Sequence, residues 1–193
     1  NIKKRNGTII DKVVTIYIMN GSTIVEDFII SDFSGSGWLS LYWEYNTSFA
    51  GKITVLNNNL TVEYSCENNA MFHNNCDAEE YKKRHKMYMT QKATGTIYVD
   101  NSSVFYIHDI TAIVPGKTSP LTESEVGFGY FVYSYVGSNV RIHNCDVVYY
   151  KGFVYCSDSS RVACIDNGGY CQYSFSGITG GFIINDGKYP DYS

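Results

Sequence analysis

The sequence predicts an all-β fold, an antiparallel sandwich or barrel. Three observations carry this. Short segments alternating apolar and polar residues recur along the whole chain, no convincing long helix or βαβ rhythm interrupts them, and only three Pro stand in 193 residues. The length fits one domain, 1–193, with the final "GGFIINDGKYPDYS" read as a strand leaving it. Hydrophobic residues make up 44% of the chain, enough to bury a core.

The elements follow in order. "KVVTIYIM" (12–19) and "STIVEDFII" (22–30) flank Asn20-Gly21, a two-residue signal for a type I′ hairpin. "SDFSGSG" is a loop. "WLSLYWEY" (38–45) is a strand with Trp38, Ser40, Tyr42 and Glu44 on one face and Leu39, Leu41, Trp43 and Tyr45 on the other. "GKITVL" and "NLTVEYS" form a second hairpin around Asn57-Asn58-Asn59. "DAEEYKKRHK" (77–86) allows one or two helical turns, with Glu79 and Glu80 spaced to meet Lys83 and Arg84. A third hairpin turns at Asp100-Asn101-Ser102-Ser103, its flanks supplying Ile97, Val99, Val104 and Tyr106 to packing. Further strands follow in "VGFGYFVYSYV", "NVRIH", "VVYY", "GFVYC" and "GYCQYSF". No internal repeat is visible.

The net charge of −4 argues against a nucleic-acid partner, and no run of 18 apolar residues can span a bilayer. Six Cys (Cys66, Cys76, Cys145, Cys156, Cys164 and Cys171) contain no C-x-x-C knuckle, which speaks for disulfides over zinc. Five Asn-x-Ser/Thr sequons at Asn6, Asn20, Asn46, Asn59 and Asn101 point to the same extracellular compartment. The four His (His73, His85, His108, His143) stand in no metal-ligand spacing. No G-x-S-x-G elbow, phosphate loop or carboxylate pair is recognisable. The expectation is a protein that presents surface rather than an enzyme, with no cofactor and no metal. Trp38 and Trp43 are the candidates for stacking on a sugar, and core packing competes for each.

The second half resembles the closing portion of a coronavirus spike N-terminal domain, alphacoronavirus- or gammacoronavirus-like. The resemblance rests on the succession "TGTIYVDNSSVFYIHDITAI", "VYSYVGSNVRIHN" and "GFVYCSDSSRVACIDNG". It spans the last 140 residues or so, and Asn1 to Gly37 match nothing in the family. The resemblance implies a galectin-like antiparallel β-sandwich, a place on a trimeric virion spike, and attachment to a host-surface glycan or protein receptor, with antibodies as further partners. It supports a Cys156–Cys164 bond, to which Cys66–Cys76 and Cys145–Cys171 are added as proposed pairs. A secreted immune-evasion sandwich capturing a host ligand, a shielding domain with no receptor, and a hydrolase with an unfamiliar site stay open beside it.

Overall fold

A computed structural model describes residues 2–3, 9–66, 84–89, 95–122, 124–125, 129–178 and 180–186. Their strands are all parallel, and they form three sheets rather than an antiparallel sandwich. The chain climbs in rungs, and each rung gives one strand to each sheet in turn. The first rung holds β1 (Ile2–Lys3), β2 (Val13–Ile18) and β3 (Thr23–Ile24). The second holds β4 (Phe28–Ser31), β5 (Trp38–Trp43) and β6 (Ser48–Phe49), and the third β7 (Ile53–Leu56), β8 (Thr61–Cys66) and β9 (Lys86–Tyr88). Then come β10 (Gly95–Asp100), β11 (Val104–His108) and β12 (Thr111–Ile113), followed by β13 (Tyr130–Ser134), β14 (Asn139–His143) and β15 (Asp146–Val148). The sixth rung is β16 (Gly152–Ser157), β17 (Arg161–Ile165) and β18 (Gly168–Tyr170), and the last strands are β19 (Tyr173–Ile178) and β20 (Phe182–Asp186). This is a parallel β-solenoid.

The galectin-like sandwich implied by the family resemblance is therefore replaced, and the reason is local. Each expected hairpin turn is a solenoid corner. Asn20-Gly21 leads from β2 into β3, which lies in another sheet. Asn57-Asn58-Asn59 leads from β7 to β8 and Asn101-Ser102 from β10 to β11, again between sheets. Left-handed backbone suits both devices: φ is +80° at Gly21, +56° at Asn57 and +53° at Asn101. Asp109, Asn144 and Asp166 repeat the left-handed conformation at successive corners after β11, β14 and β17.

Across the third hairpin the expected facing is also corrected. Ile97 and Val99 are buried, but beyond the corner Phe105 and Ile107 turn inward, while Val104 and Tyr106 face out. The repeat missing from the sequence is plain in the register. Val13 pairs with Trp38, Trp38 with Thr61, Thr61 with Val104, Val104 with Asn139, Asn139 with Arg161 and Arg161 with Phe182. The steps are 25, 23, 43, 35, 22 and 21 residues.

Period-two alternation sends Leu39 and Leu41, Val62 and Tyr64, Phe105 and Ile107, Val140 and Ile142, and Val162 and Cys164 into one continuous core. Trp43 is fully buried there, its indole stacked on the His85 imidazole at 4.0 Å and flanked by Tyr64 and Phe49. His85 bonds to Thr47 Oγ1 (2.9 Å) and Tyr64 Oη (2.6 Å). Because the Thr47 hydroxyl donates to the Glu44 carbonyl, His85 Nδ1 donates to Thr47 and Nε2 accepts from Tyr64.

The disulfide expectation is corrected as well. Cys145, Cys156, Cys164 and Cys171 carry free, buried thiols, so neither Cys145–Cys171 nor Cys156–Cys164 forms. Their side chains point into the core, Cys145 from the fifth rung and Cys156, Cys164 and Cys171 from the sixth, where they pack as small hydrophobes. Cys66, also buried, accepts the His85 backbone N–H, while its proposed partner Cys76 lies outside the described residues. So do His73 and residues 77–83 of the proposed helical stretch 77–86, whose Arg84 and His85 precede β9 and whose Lys86 opens it. Among the described residues no helix is long and apolar enough to cross a membrane.

Candidate functional site

Two outer faces carry functional-group density. On the first sheet (β1-β4-β7-β10-β13-β16-β19) tyrosines form a ladder. Tyr98 stacks on Tyr133 with centroids 4.8 Å apart and planes 4° from parallel, and Tyr133 also lies parallel to Tyr135 at 6.0 Å. Tyr155 and Tyr130 close around them. Tyr133, though it points away from the core, is only 1% exposed. The ring faces are taken up by one another, so this ladder packs the sheet and offers little face to a ligand. Burial pushes the Tyr135 phenol up to about 12, with Tyr155 adding to it.

The second sheet (β2-β5-β8-β11-β14-β17-β20) is different. Its outward residues stand in columns, one per rung. Ser40, Glu63, Tyr106, Arg141 and Ala163 make a central column, and Tyr42, Ser65, His108, His143 and Ile165 make the next. These columns bring together residues that lie far apart in the chain. His108 is the hub. Its Nε2 lies 3.1 Å from Glu63 Oε1 and its Nδ1 2.6 Å from Asp109 Oδ2. The Asn144 amide donates to the other oxygen of Asp109 at 2.6 Å. Burial alone would lower the His108 pKa, but the bonds to Asp109 and Glu63 outweigh it and lift it to about 9. The His108 bond in turn lowers the Glu63 pKa, with Ser40 assisting against the opposing effect of burial.

Tyr106 is held between two neighbours. The His108 ring stacks on it at 4.5 Å, and the Arg141 guanidinium sits 5.1 Å from its centroid. The Tyr106 hydroxyl reaches His143 Nδ1 at 3.3 Å, and His143 Nε2 stands 3.9 Å from Asp166. At neutral pH His108 is a cation with both ring nitrogens engaged, so it has no lone pair to act as a base. Burial also raises the Cys164 thiol to about 12, helped by Cys156, and the Cys171 thiol to about 12. The arrangement suits hydrogen bonding and charge pairing with a bound molecule. Among the described residues no group of three or more His, Cys, Asp or Glu is arranged to hold a metal ion.

Trp38 stands on the outer face of this sheet, 40% exposed, two rungs from Tyr106. Trp43 lies in the core and cannot reach a ligand. The sequon residues Asn20, Asn46, Asn59 and Asn101 are all exposed and all lie at corners bordering the second sheet. Asn6 is outside the described residues. No sequon follows Asn101, so the face over β14, β17 and β20 is free of glycan acceptors.

Sequence reasoning passed over Glu63, Tyr106, His108, Asp109, Arg141 and His143 as a group. A signal was present: "YIHD" (106–109) and "RIHN" (141–144) repeat an outward residue, Ile, His and a corner-forming Asp or Asn. No family model, curated protein or solved structure matches this chain.

Proposed function

We propose that this chain is a non-enzymatic attachment module that binds a cell-surface glycan on the outer face of its second sheet. One observation carries the reading: Glu63, Tyr106 and Arg141 stand beside Ser65, His108 and His143 on three adjacent strands. They offer acceptors, donors and an aromatic edge at a spacing of about 4.8 Å per rung. Hydroxyl-rich ligands are read by such mixed polar groups. The engaged state of His108 and the buried thiols favour binding over catalysis. Location outside the cell belongs to the same proposal and rests on the sequons, since the described cysteines form no disulfide.

A single weak site gains strength from many copies, so the test displays the protein multivalently on nanoparticles. Cell binding is then measured before and after enzymatic removal of surface glycans. Loss of binding on glycan removal, and a drop of tenfold or more in the Tyr106→Ala/Arg141→Ala variant, is the expected result. Binding that survives deglycosylation but not protease treatment would replace the glycan with a protein receptor.

A further inference from the structure

The column of the second sheet nearest the corner from the first sheet runs Trp38, Thr61, Val104, Asn139, Arg161, Phe182. Its last three members combine an amide, a guanidinium and an aromatic ring on consecutive rungs. Among the described residues neither the Asn139 amide nor the Arg161 guanidinium has a hydrogen-bond or ion-pair partner, and both are exposed. Phe182 is 57% exposed and no ring stacks on it among the described residues. A shallow groove runs beside this pair, lined by Ser159, Arg161, Gly180 and Phe182. Arg141 stands one column over on the rung of Asn139 and adds a second cation. Asp158, the corner carboxylate next to Ser159 in the chain, is engaged by the Ser157 hydroxyl at 2.9 Å.

We infer that this groove is a subsite for an anionic sugar, one bearing a carboxylate or a sulfate. The inference rests on the glycan reading above and narrows it to a ligand class. The Arg161 fork would take the anionic group, since a planar guanidinium matches two oxygens of a carboxylate or sulfate. The Phe182 ring would cover the apolar face of the pyranose, and Asn139 and Ser159 would bond its hydroxyls. A neutral sugar would leave Arg161 unpaired. The position agrees with the sequons, which border only the earlier rungs. A glycan attached to the protein itself would not crowd this end of the face.

The test uses nanoparticles carrying the chain and an immobilised set of matched oligosaccharides, each present with and without its carboxylate or sulfate. The expected result is at least tenfold stronger capture by the anionic members, weakening as salt rises. Arg161→Gln should abolish that preference while leaving residual binding to the neutral members, and Phe182→Ala should weaken both. Equal capture of anionic and neutral members overturns the anionic subsite and leaves the glycan reading standing. Capture of none overturns both. Retention of the preference in folded Arg161→Gln, judged by an unchanged circular dichroism spectrum, also overturns the assignment.

Discussion

Asn58 and Asn167 stand at two different corners of the solenoid and bond the rung before them in the same way. The Asn58 carboxamide accepts the Phe33 N–H at 3.0 Å and donates to the Ile30 carbonyl at 2.9 Å. Asn167 accepts the Cys145 N–H and donates to the Ile142 carbonyl, both at 2.9 Å. In each case the two backbone partners are three residues apart on the preceding rung. Both side chains are buried, so these bonds answer backbone groups that the corner would otherwise leave without a partner.

Asn58 does more. It also donates to the Leu56 carbonyl, and its own N–H bonds Ser103 Oγ on the next rung. Asn58→Ala therefore strands buried polar groups and should cost about 2–4 kcal/mol. Asn58→Asp, which can accept but not donate and buries a charge, should cost at least as much. Urea unfolding midpoints check both.

The His108 cluster sets an alkaline limit. Folding lifts its pKa from 6.5 to about 9, so its contribution is complete below pH 6.5 and fades as pH rises through 9. Glu63, lowered, contributes above the ordinary carboxylate range and loses that contribution as pH falls. His108→Gln should remove on the order of 2–3 kcal/mol at pH 6 and far less at pH 10. Unfolding curves at the two pH values, for wild type and variant, give the comparison.

His85 behaves in the opposite sense. Burial depresses its pKa from 6.5 to about 3 against the small opposing effect of Thr47, so the unfolded chain takes a proton that the folded chain refuses. Stability should fall as pH drops below 6.5, by up to about 1.4 kcal/mol per pH unit from this group. The ring carbon shifts of His85 in an NMR titration should stay flat from pH 8 to pH 5.

Four of the five buried cysteines among the described residues give a direct chemical check. Native protein treated with iodoacetamide should leave Cys145, Cys156, Cys164 and Cys171 unmodified, because burial keeps the reagent out of all four and keeps the thiolate scarce at Cys145, Cys164 and Cys171. After denaturation without reductant all four should alkylate. Mass spectrometry that finds a Cys145–Cys171 or Cys156–Cys164 bond would contradict the fold's interior.

Gly152 lies under the Tyr130 ring, and a Cβ there would overlap it. Gly152→Ala should displace Tyr130, loosen its edge contacts with Tyr133 and Tyr155, and cost about 1–3 kcal/mol. In a Tyr130→Ala background the same substitution should cost much less, as a double-mutant cycle would read.

Strands and their facing were largely legible in the residues. Trp38 to Trp43 alternates as expected, with Leu39, Leu41 and Trp43 turned inward. Direction of pairing was not legible. An Asn or Gly in left-handed backbone reverses a hairpin and turns a solenoid corner equally well, and nothing near Asn57 or Asn101 distinguishes the two. The repeat was hidden because rung lengths vary and a column preserves only inward or outward facing: Leu39, Val62, Phe105 and Val140 share a position without sharing an identity. The site was hidden for the same reason. Glu63 and His108 lie 45 residues apart and become neighbours only when a parallel register is known.

The uneven steps between rungs have one more consequence. The steps into β11 and β14 are the longest, and the inward columns continue across them. Length is thus a free variable of this architecture. Whole rungs can be gained or lost without disturbing those that remain, each adding about 4.8 Å of outer face. The outer face of such a molecule grows by copying one turn of itself.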